Sequence, residues 1–378
     1  MKPTSCVCAF LFLCGNVFGE GWYPQVDGSF GYGLFQRLGL GDMQNDEALN
    51  LDCPYLAGTA YYLGWAMFEP KEGDYQWDYM ERLIKKWQDK GKRVMFRIDV
   101  INKRPRPDLA FGTPEWVFQS GAKRLVAHSS GEKTASHWPV YWDPKFFDKF
   151  SNFIKAMAKR FDGHPGIEFM MIGFGEFATT KVCGPSSKVM DQYEKAGYNK
   201  NLWVDTVKKT MDLYKESFVK TPVCATLAPF HKIGDGSEPE VYKLGQHAGG
   251  KGIYLFNHSL NSTSKWFSKD NIYPKLFNEV RSQTKIAIGP DDPVISKLGR
   301  GGAGEGRVRD QGEIDEVLDL AFGGIRGMPE TSVDYLVFYP EDIAAITPGN
   351  VDYNAQAEST VQEAIRRLKD SQEPNQNK

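Results

Sequence analysis

Ile167-Glu168-Phe169-Met170-Met171-Ile172-Gly173-Phe174-Gly175-Glu176-Phe177 is the stretch on which the fold reading turns. A compact apolar run, Phe169 to Ile172, opens into two glycines and stops on one carboxylate. A short run of this kind bounded by Gly reads as a strand buried on both faces. The glycines leave room beside the backbone, as they do where a ligand approaches closely. Glu176 then falls at the C-terminal mouth of the strand.

The neighbouring segments alternate in period. Upstream, Asp143-Pro144 opens a helix with an acidic cap and Pro at its first position. Phe146, Phe150, Phe153, Met157 and Phe161 form its buried stripe, and Asp162-Gly163-His164-Pro165-Gly166 turns the chain into the Glu176 strand. Downstream, Trp203, Val207, Met211, Tyr214 and Phe218 line a helix before a strand over Pro222 to Leu227. The same alternation continues through a helix over Pro239 to Gln246, a strand over Gly252 to Asn257, a helix over Ile272 to Arg281 and a strand over Lys285 to Ile288. A Gly-rich loop, Gly299 to Gly306, precedes a helix carrying Ile314, Val317, Leu318 and Ile325. Val333 to Tyr339 is the last strand, and Val361, Ala364, Ile365 and Leu368 mark a closing helix.

Towards the N-terminus, Arg93 to Val100 is a strand preceded by a helix with Trp77, Met80, Ile84 and Trp87 on one face. Thr59 to Phe68 and Gly28 to Phe35 read as the first two strands, and Gln36 to Pro54 shows no clean helical face. Between Ile101 and Tyr141 lies a long excursion rich in Trp and Arg, read as a substrate-facing loop because loops this long in compact domains are functional or disordered. About eight strands alternate with helices, which implies a parallel sheet closed as a single-domain (β/α)8 TIM barrel over residues 21–370. Residues 371–378 are a polar tail.

The chain has 378 residues, 41% hydrophobic and 25% charged, as in soluble globular proteins. A net charge of −2 gives no footprint for nucleic acid or an acidic membrane surface. Residues 1–20 read as a secretory signal, with Lys2 at the start, an apolar run from Val7 to Leu13 too short to span a bilayer, and small residues near Gly19. The expected location is therefore secreted or periplasmic. Cys14 behind Leu11-Phe12-Leu13 only approximates a lipid-attachment box, because Leu13 is bulky. Past the signal, Cys53, Cys183 and Cys224 leave room for at most one disulfide.

In a barrel the chemistry sits at the C-terminal strand ends. Carboxylates there are Glu69, Asp99, Glu176, Asp291, Asp292, Glu341 and Asp342. The 6 His form neither His-x-His nor His-Glu-x-x-His, so no metal or other cofactor is expected. No Gly-x-Ser-x-Gly elbow is present. Elimination leaves paired carboxylates, the chemistry of glycosidic bond hydrolysis.

Trp65-Ala66-Met67-Phe68-Glu69-Pro70-Lys71-Glu72-Gly73, with Trp77-Asp78 after it, resembles a segment of clan A glycoside hydrolases, nearest the family 42 (β-galactosidase-like) group. Tyr141-Trp142-Asp143-Pro144, Arg160-Phe161-Asp162-Gly163-His164-Pro165 and Ile172-Gly173-Phe174-Gly175-Glu176 are similar to the same group. The resemblance implies a retaining mechanism, with Glu176 as general acid/base and a Glu nucleophile at the end of the seventh strand. The chain departs at two positions: Gly289 stands where that Glu is expected, and Gly175 where the group has Asn.

The candidate catalytic residues are accordingly Glu176, Asp291 and Glu341. Asp291 and Asp292 equally suit a turn, since Asp-Asp-Pro is ordinary turn chemistry. Candidate substrate-binding residues are Trp65, Arg97, Asn102, Trp142, His231, His258, Asp292 and Tyr339. Trp65 equally reads as core, and Arg97 as half of an ion pair in the mouth. The expected partner is a β-linked, galactose-containing carbohydrate. The Lys103-Arg104-Pro105-Arg106 loop adds a hint of an acidic or sulfated one. The alternative is a barrel that binds glycans without cleaving them, its nucleophile lost at Gly289.

Overall fold

A computed structural model describes residues 32–39, 49–101, 112–127, 136–185, 188–232, 234–262, 271–290, 292–295, 312–323 and 333–372. The expected signal, Asn102, the 103–106 loop, Asp291, the 299–306 loop, Ile325 and nearly all of the polar tail lie outside the described residues.

The described chain runs β1 (Gly33–Gly39), β2 (Gly58–Gly64), α1 (Trp65–Phe68), α2 (Trp77–Gln88), β3 (Arg93–Asp99), α3 (Glu115–Gln119), β4 (Arg124–Ala127), β5 (Ser136–Pro139), α4 (Pro144–Phe161) and β6 (Ile167–Met171). It continues with α5 (Met190–Lys195), α6 (Lys200–Ser217), β7 (Val223–Thr226), α7 (Glu238–Gly250), β8 (Tyr254–Leu260), α8 (Ile272–Val280), β9 (Ile286–Pro290), α9 (Ile314–Phe322), β10 (Tyr335–Phe338), α10 (Pro340–Ala345) and α11 (Ala355–Asp370). Eight strands close in the order β1-β10-β9-β8-β7-β6-β3-β2, and every pairing in this ring is parallel. The (β/α)8 barrel expected from the alternation is thus the observed fold.

Period two divides each strand between two cores. Phe35, Ala60, Tyr62, Met95, Phe169, Met171, Cys224, Phe256, Ala287, Tyr335 and Val337 form one cluster with contributions from all eight strands, the barrel interior. The alternate residues pack outward against the helices. Helix α4 shows why this works. Asp143 caps it by accepting from the Lys145 and Phe146 N–H groups, and the expected Phe stripe is buried. Such a cap is worth about 1 kcal/mol.

Some boundaries differ from the sequence reading. The first strand begins later, at Gly33, and reaches Gly39. The second stops at Gly64, and Trp65–Phe68 wind into one helical turn. The 101–141 excursion contains α3 and the antiparallel β4–β5 hairpin, so it is structured wherever it is described. Among the described residues no helix is long and apolar enough to cross a membrane. Cys53, Cys183 and Cys224 are buried and free, so the bridge the sequence left room for is not formed among them.

Candidate active site at the C-terminal mouth of the barrel

Beyond β6 the backbone enters an uncommon conformation. Gly175 has φ +82°, and Phe177 and Ala178 follow at +56° and +51°. The left-handed region costs a non-glycine residue about 1–2 kcal/mol. The turn is held from several sides: Glu176 N–H donates to the Lys181 carbonyl at 2.8 Å, and Thr179 Oγ1 to the Glu176 carbonyl at 2.9 Å. Trp203 Nε1 anchors the next residue by donating to the Thr180 carbonyl at 2.8 Å. The turn presents Phe177 to solvent at 41% exposure and folds Glu176 inward to 0%. The Glu176 carboxylate accepts from the Gly184 N–H. Next to it, burial and then the Glu176 charge push the Cys183 thiol up to about 12.

The two departures from the family pattern have a structural cause. A Cβ on Gly175 would stand 2.1 Å from the Thr179 carbonyl oxygen, so the positive-φ turn has no room for Asn. A Cβ on Gly289 would stand 2.5 Å from the Val337 carbonyl oxygen and 3.3 Å from the Phe256 ring. The strand-seven position is therefore closed to any larger side chain by a backbone atom that no rotamer can move. Of the other catalytic candidates, Glu341 lies half-buried in the first turn of α10 and Asp292 half-buried after β9. Their neighbour Asp342 is buried and accepts from the Val294 and Ile295 N–H groups at 2.8 and 2.7 Å, tying the loops after β9 and β10 together. Asp291 is outside the described residues.

The binding candidates separate into two groups. Trp65 is core, not a sugar platform: it is fully buried, stacks on Phe153, and donates from Nε1 to Glu69 Oε2 at 2.8 Å. The Glu69 carboxyl also accepts from Gly73 N–H at 2.9 Å, and burial raises its pKa. The Glu69-Pro70-Lys71-Glu72-Gly73 segment thus builds a turn that packs with Trp65 on the outside of the barrel. Trp142 packs on Tyr193 and Tyr198 and donates to the Ala196 carbonyl at 2.9 Å, which places it with the outer helices. His231 is held through its N–H by Asp235 at 2.7 Å, with Nδ1 2.9 Å from the Cys183 carbonyl, beside the Glu176 turn.

Arg97, His258 and Tyr339 are brought together at the inner rim. The Arg97 guanidinium pairs with both Asp99 oxygens at 2.7 and 2.8 Å and lies 3.8 Å from the Tyr62 ring centroid. Burial raises the Asp99 pKa, opposed by Arg97 and by Arg37. Arg37 donates to the Tyr339 hydroxyl at 2.8 Å and lies over its ring. Burial, with Arg37, Arg97 and Lys181 adding to it, lowers the His258 pKa to about 3. Arg37 and Tyr62 were not anticipated. The signal was present, since both lie two residues beyond interior positions, but the first strand was ended at Phe35.

Comparisons with known proteins agree with this architecture. The β-galactosidase family model of glycoside hydrolases matches residues 58–208, from β2 into α6. The fold is similar to that of the β-amylase catalytic domain of Paenibacillus polymyxa, with TM-score 0.58 and 10% identity over 92% of this chain and 100% of that one. It is also similar to a β-galactosidase from the psychrophilic Marinomonas ef1, with TM-score 0.52 and 10% identity over 89% of this chain and 59% of that one. Xylanase 10B from Thermotoga maritima aligns with TM-score 0.50 and 10% identity over 90% of this chain and 97% of that one. At such identities these likenesses speak for the fold. No curated protein matches the chain. The solved structures show the (β/α)8 barrel fold, the family match supports O-glycosyl hydrolysis, and the chain is a glycoside hydrolase-like (β/α)8 barrel with a β-galactosidase-type segment at residues 58–208.

Proposed function

We propose that this protein is a secreted glycoside hydrolase that cleaves a β-linked, galactose-containing oligo- or polysaccharide, with Glu176 as general acid/base. The observation that carries the reading is the turn after β6. Two consecutive non-glycine residues at positive φ are kept immediately behind Glu176, in a loop braced by side-chain and backbone hydrogen bonds. Backbone strain of this kind persists where the surroundings over-determine it, and it concentrates at functional sites.

In this reading the partner carboxylate is Asp292 after β9, Glu341 after β10 or Asp291 in the sequence between, because a side chain at position 289 would meet the Val337 carbonyl. A separation of about 5–5.5 Å from Glu176 gives retention and about 6.5–9.5 Å gives inversion. The crowding at Gly289 and the full burial of Glu176 favour a second reading, a barrel that binds glycan without cleaving it.

Sugar release from aryl β-glycosides and from plain and sulfated galactans, by the wild type and by Glu176→Gln, tests the proposal. Loss of a proton donor predicts a rate lower by about 10²–10⁴-fold. Following the product anomer by NMR assigns retention or inversion. Glycan binding with no turnover by the wild type would select the second reading, and turnover indifferent to the substitution would remove Glu176 from the chemistry.

A further inference from the structure

The parallel ladder between β6 and β7 does not stop where the two strands do. Every second carbonyl from Pro222 to Phe230 accepts a hydrogen bond from the β6 side. The first two rungs are regular: Met170 N–H donates to Pro222 at 2.9 Å and Ile172 N–H to Cys224 at 2.8 Å. Residues 173–179 then loop out of the ladder, Glu176 among them, with Phe177 and Ala178 at positive φ. Thr180 re-enters it on the next rung, its N–H donating to the Thr226 carbonyl at 2.9 Å. The following carbonyl, that of Ala228, is taken by the Thr180 side chain. Its Oγ1 donates to this carbonyl and accepts from the Ala228 N–H at 2.7 Å. Val182 N–H closes the series on Phe230 at 2.8 Å. Two consecutive rungs, Cys224 and Thr226, therefore form the neck of the loop that carries Glu176. Thr180 is buried, and its own carbonyl accepts from Nε1 of Trp203, whose indole stacks on Phe174 inside the loop.

Resting on the reading of Glu176 as general acid/base, we propose that Thr180 is the positioning residue of that carboxyl group: its hydroxyl and its N–H clamp the neck of the loop to the end of β7 and so fix where Glu176 stands. The clamp needs a hydroxyl. One O–H is donor and acceptor at once, so it serves both the N–H and the C=O of Ala228. Valine has the same shape and serves neither, which would leave two backbone groups of buried Ala228 without partners. The strained turn behind Glu176 persists only where its surroundings over-determine it, and the clamp does so from the neighbouring strand. A catalytic group displaced by about 1 Å can lose about 10²-fold in rate. Thr180 thus acts through Glu176 and touches no substrate itself.

The test compares wild type with Thr180→Val and Thr180→Ser. Amide hydrogen exchange over residues 176–182, read by mass spectrometry, follows the neck itself. Thr180→Val is expected to speed exchange there by about 10- to 100-fold with the rest of the barrel unchanged, and Thr180→Ser to restore most of the protection. Values of kcat/KM on matched phenyl and dinitrophenyl β-glycosides follow the acid. Phenol needs a proton to leave and dinitrophenol does not, so a displaced acid slows the first and spares the second. Thr180→Val is expected to lower the phenyl value by about 10- to 100-fold and to leave the dinitrophenyl value within about 3-fold, and Thr180→Ser to recover most of the loss. A side chain that only stabilises the fold would lower both values alike. That result, or exchange indifferent to Thr180→Val, overturns the positioning role. If Thr180→Val does not fold, Trp203→Phe removes the bond to the Thr180 carbonyl, keeps a ring on Phe174, and is judged by the same leaving-group ratio and the same exchange. A wild type that cleaves no glycoside removes the hydrolase reading, and exchange by itself then upholds or overturns the clamp.

Discussion

At the N-terminal end of the barrel, Glu168 on β6 accepts from the Tyr335 hydroxyl at 2.8 Å and faces Arg93 at 3.9 Å, fully buried. Asp334, just before β10, takes Arg281, Gln372, the Ile286 N–H and Lys285 into one network. At the C-terminal end, Arg37 and Arg97 crowd on to Tyr62 with Asp99 beside them. Both ends hold buried or half-buried charge. At the bottom each carboxylate sits among its own cations and donors, an arrangement that closes the barrel. At the top, among the described residues, Arg97 pairs with both Asp99 oxygens and Arg37 donates to the Tyr339 hydroxyl, so these charges line the mouth of the barrel and do not close its floor.

The largest expected effect is at the bottom. Glu168→Ala removes the acceptor of Tyr335 and the charge opposite Arg93, so urea unfolding should show a loss of about 3–5 kcal/mol. A loss below 1 kcal/mol would mean that the lower network does not hold the barrel. Next comes the closed strand-seven position. Gly289→Ala forces a methyl against the Val337 carbonyl and the Phe256 ring and should cost about 1–3 kcal/mol, possible to read in the same unfolding curves. A neutral result would reopen this position to a nucleophile.

The third prediction concerns pH. Half-buried His258 has its folded pKa lowered to about 3, against 6.5 for an ordinary histidine, by desolvation of the ring and then by the nearby cations. As pH falls below 6.5 the unfolded chain takes up a proton that the folded one refuses. The contribution is thus complete above 6.5 and lost on acidification towards 3, by up to about 1.4 kcal/mol per pH unit. Unfolding at pH 7.5 and pH 5 should show wild type losing stability relative to His258→Gln, and parallel curves would show that the rim does not depress this histidine. The smallest stability effect is expected for Arg37→Met, about 1 kcal/mol from its half-buried cation–π contacts. A cost comparable to Glu168→Ala would make the upper rim structural like the lower one and erase the contrast.

Much of the fold was legible because period is a local property. The Phe146-to-Phe161 stripe and the Asp143 cap could be counted residue by residue, and each lies where expected. Trp65 and Trp142 could not be assigned this way, since an aromatic residue beside a strand end reads the same whether it faces the lumen or the helices. Whether a strand ends at Gly64 or runs on to Phe68 is invisible in composition; because it ends at Gly64, Glu69 follows a helical turn and is tied to Trp65 and Gly73 and does not stand at the strand end. Arg37 was missed for a simpler reason: one strand boundary was set too early.

By itself the sequence determined the alternation of strand and helix, the parallel closure that follows from it, and the placing of Glu176 past the end of the fourth barrel strand. These depend on hydrophobic period and on glycine and proline punctuation, which act over a few residues. Only the tertiary structure decided that Gly175 and Gly289 have no room for a side chain, that Glu176 turns inward to the Gly184 N–H, and that Arg37, Tyr62, Arg97 and Tyr339 meet. Those relations join strands up to 302 residues apart in the chain. They exist because closing the barrel brings β1 against β10, and no local pattern encodes which side chains then share the rim.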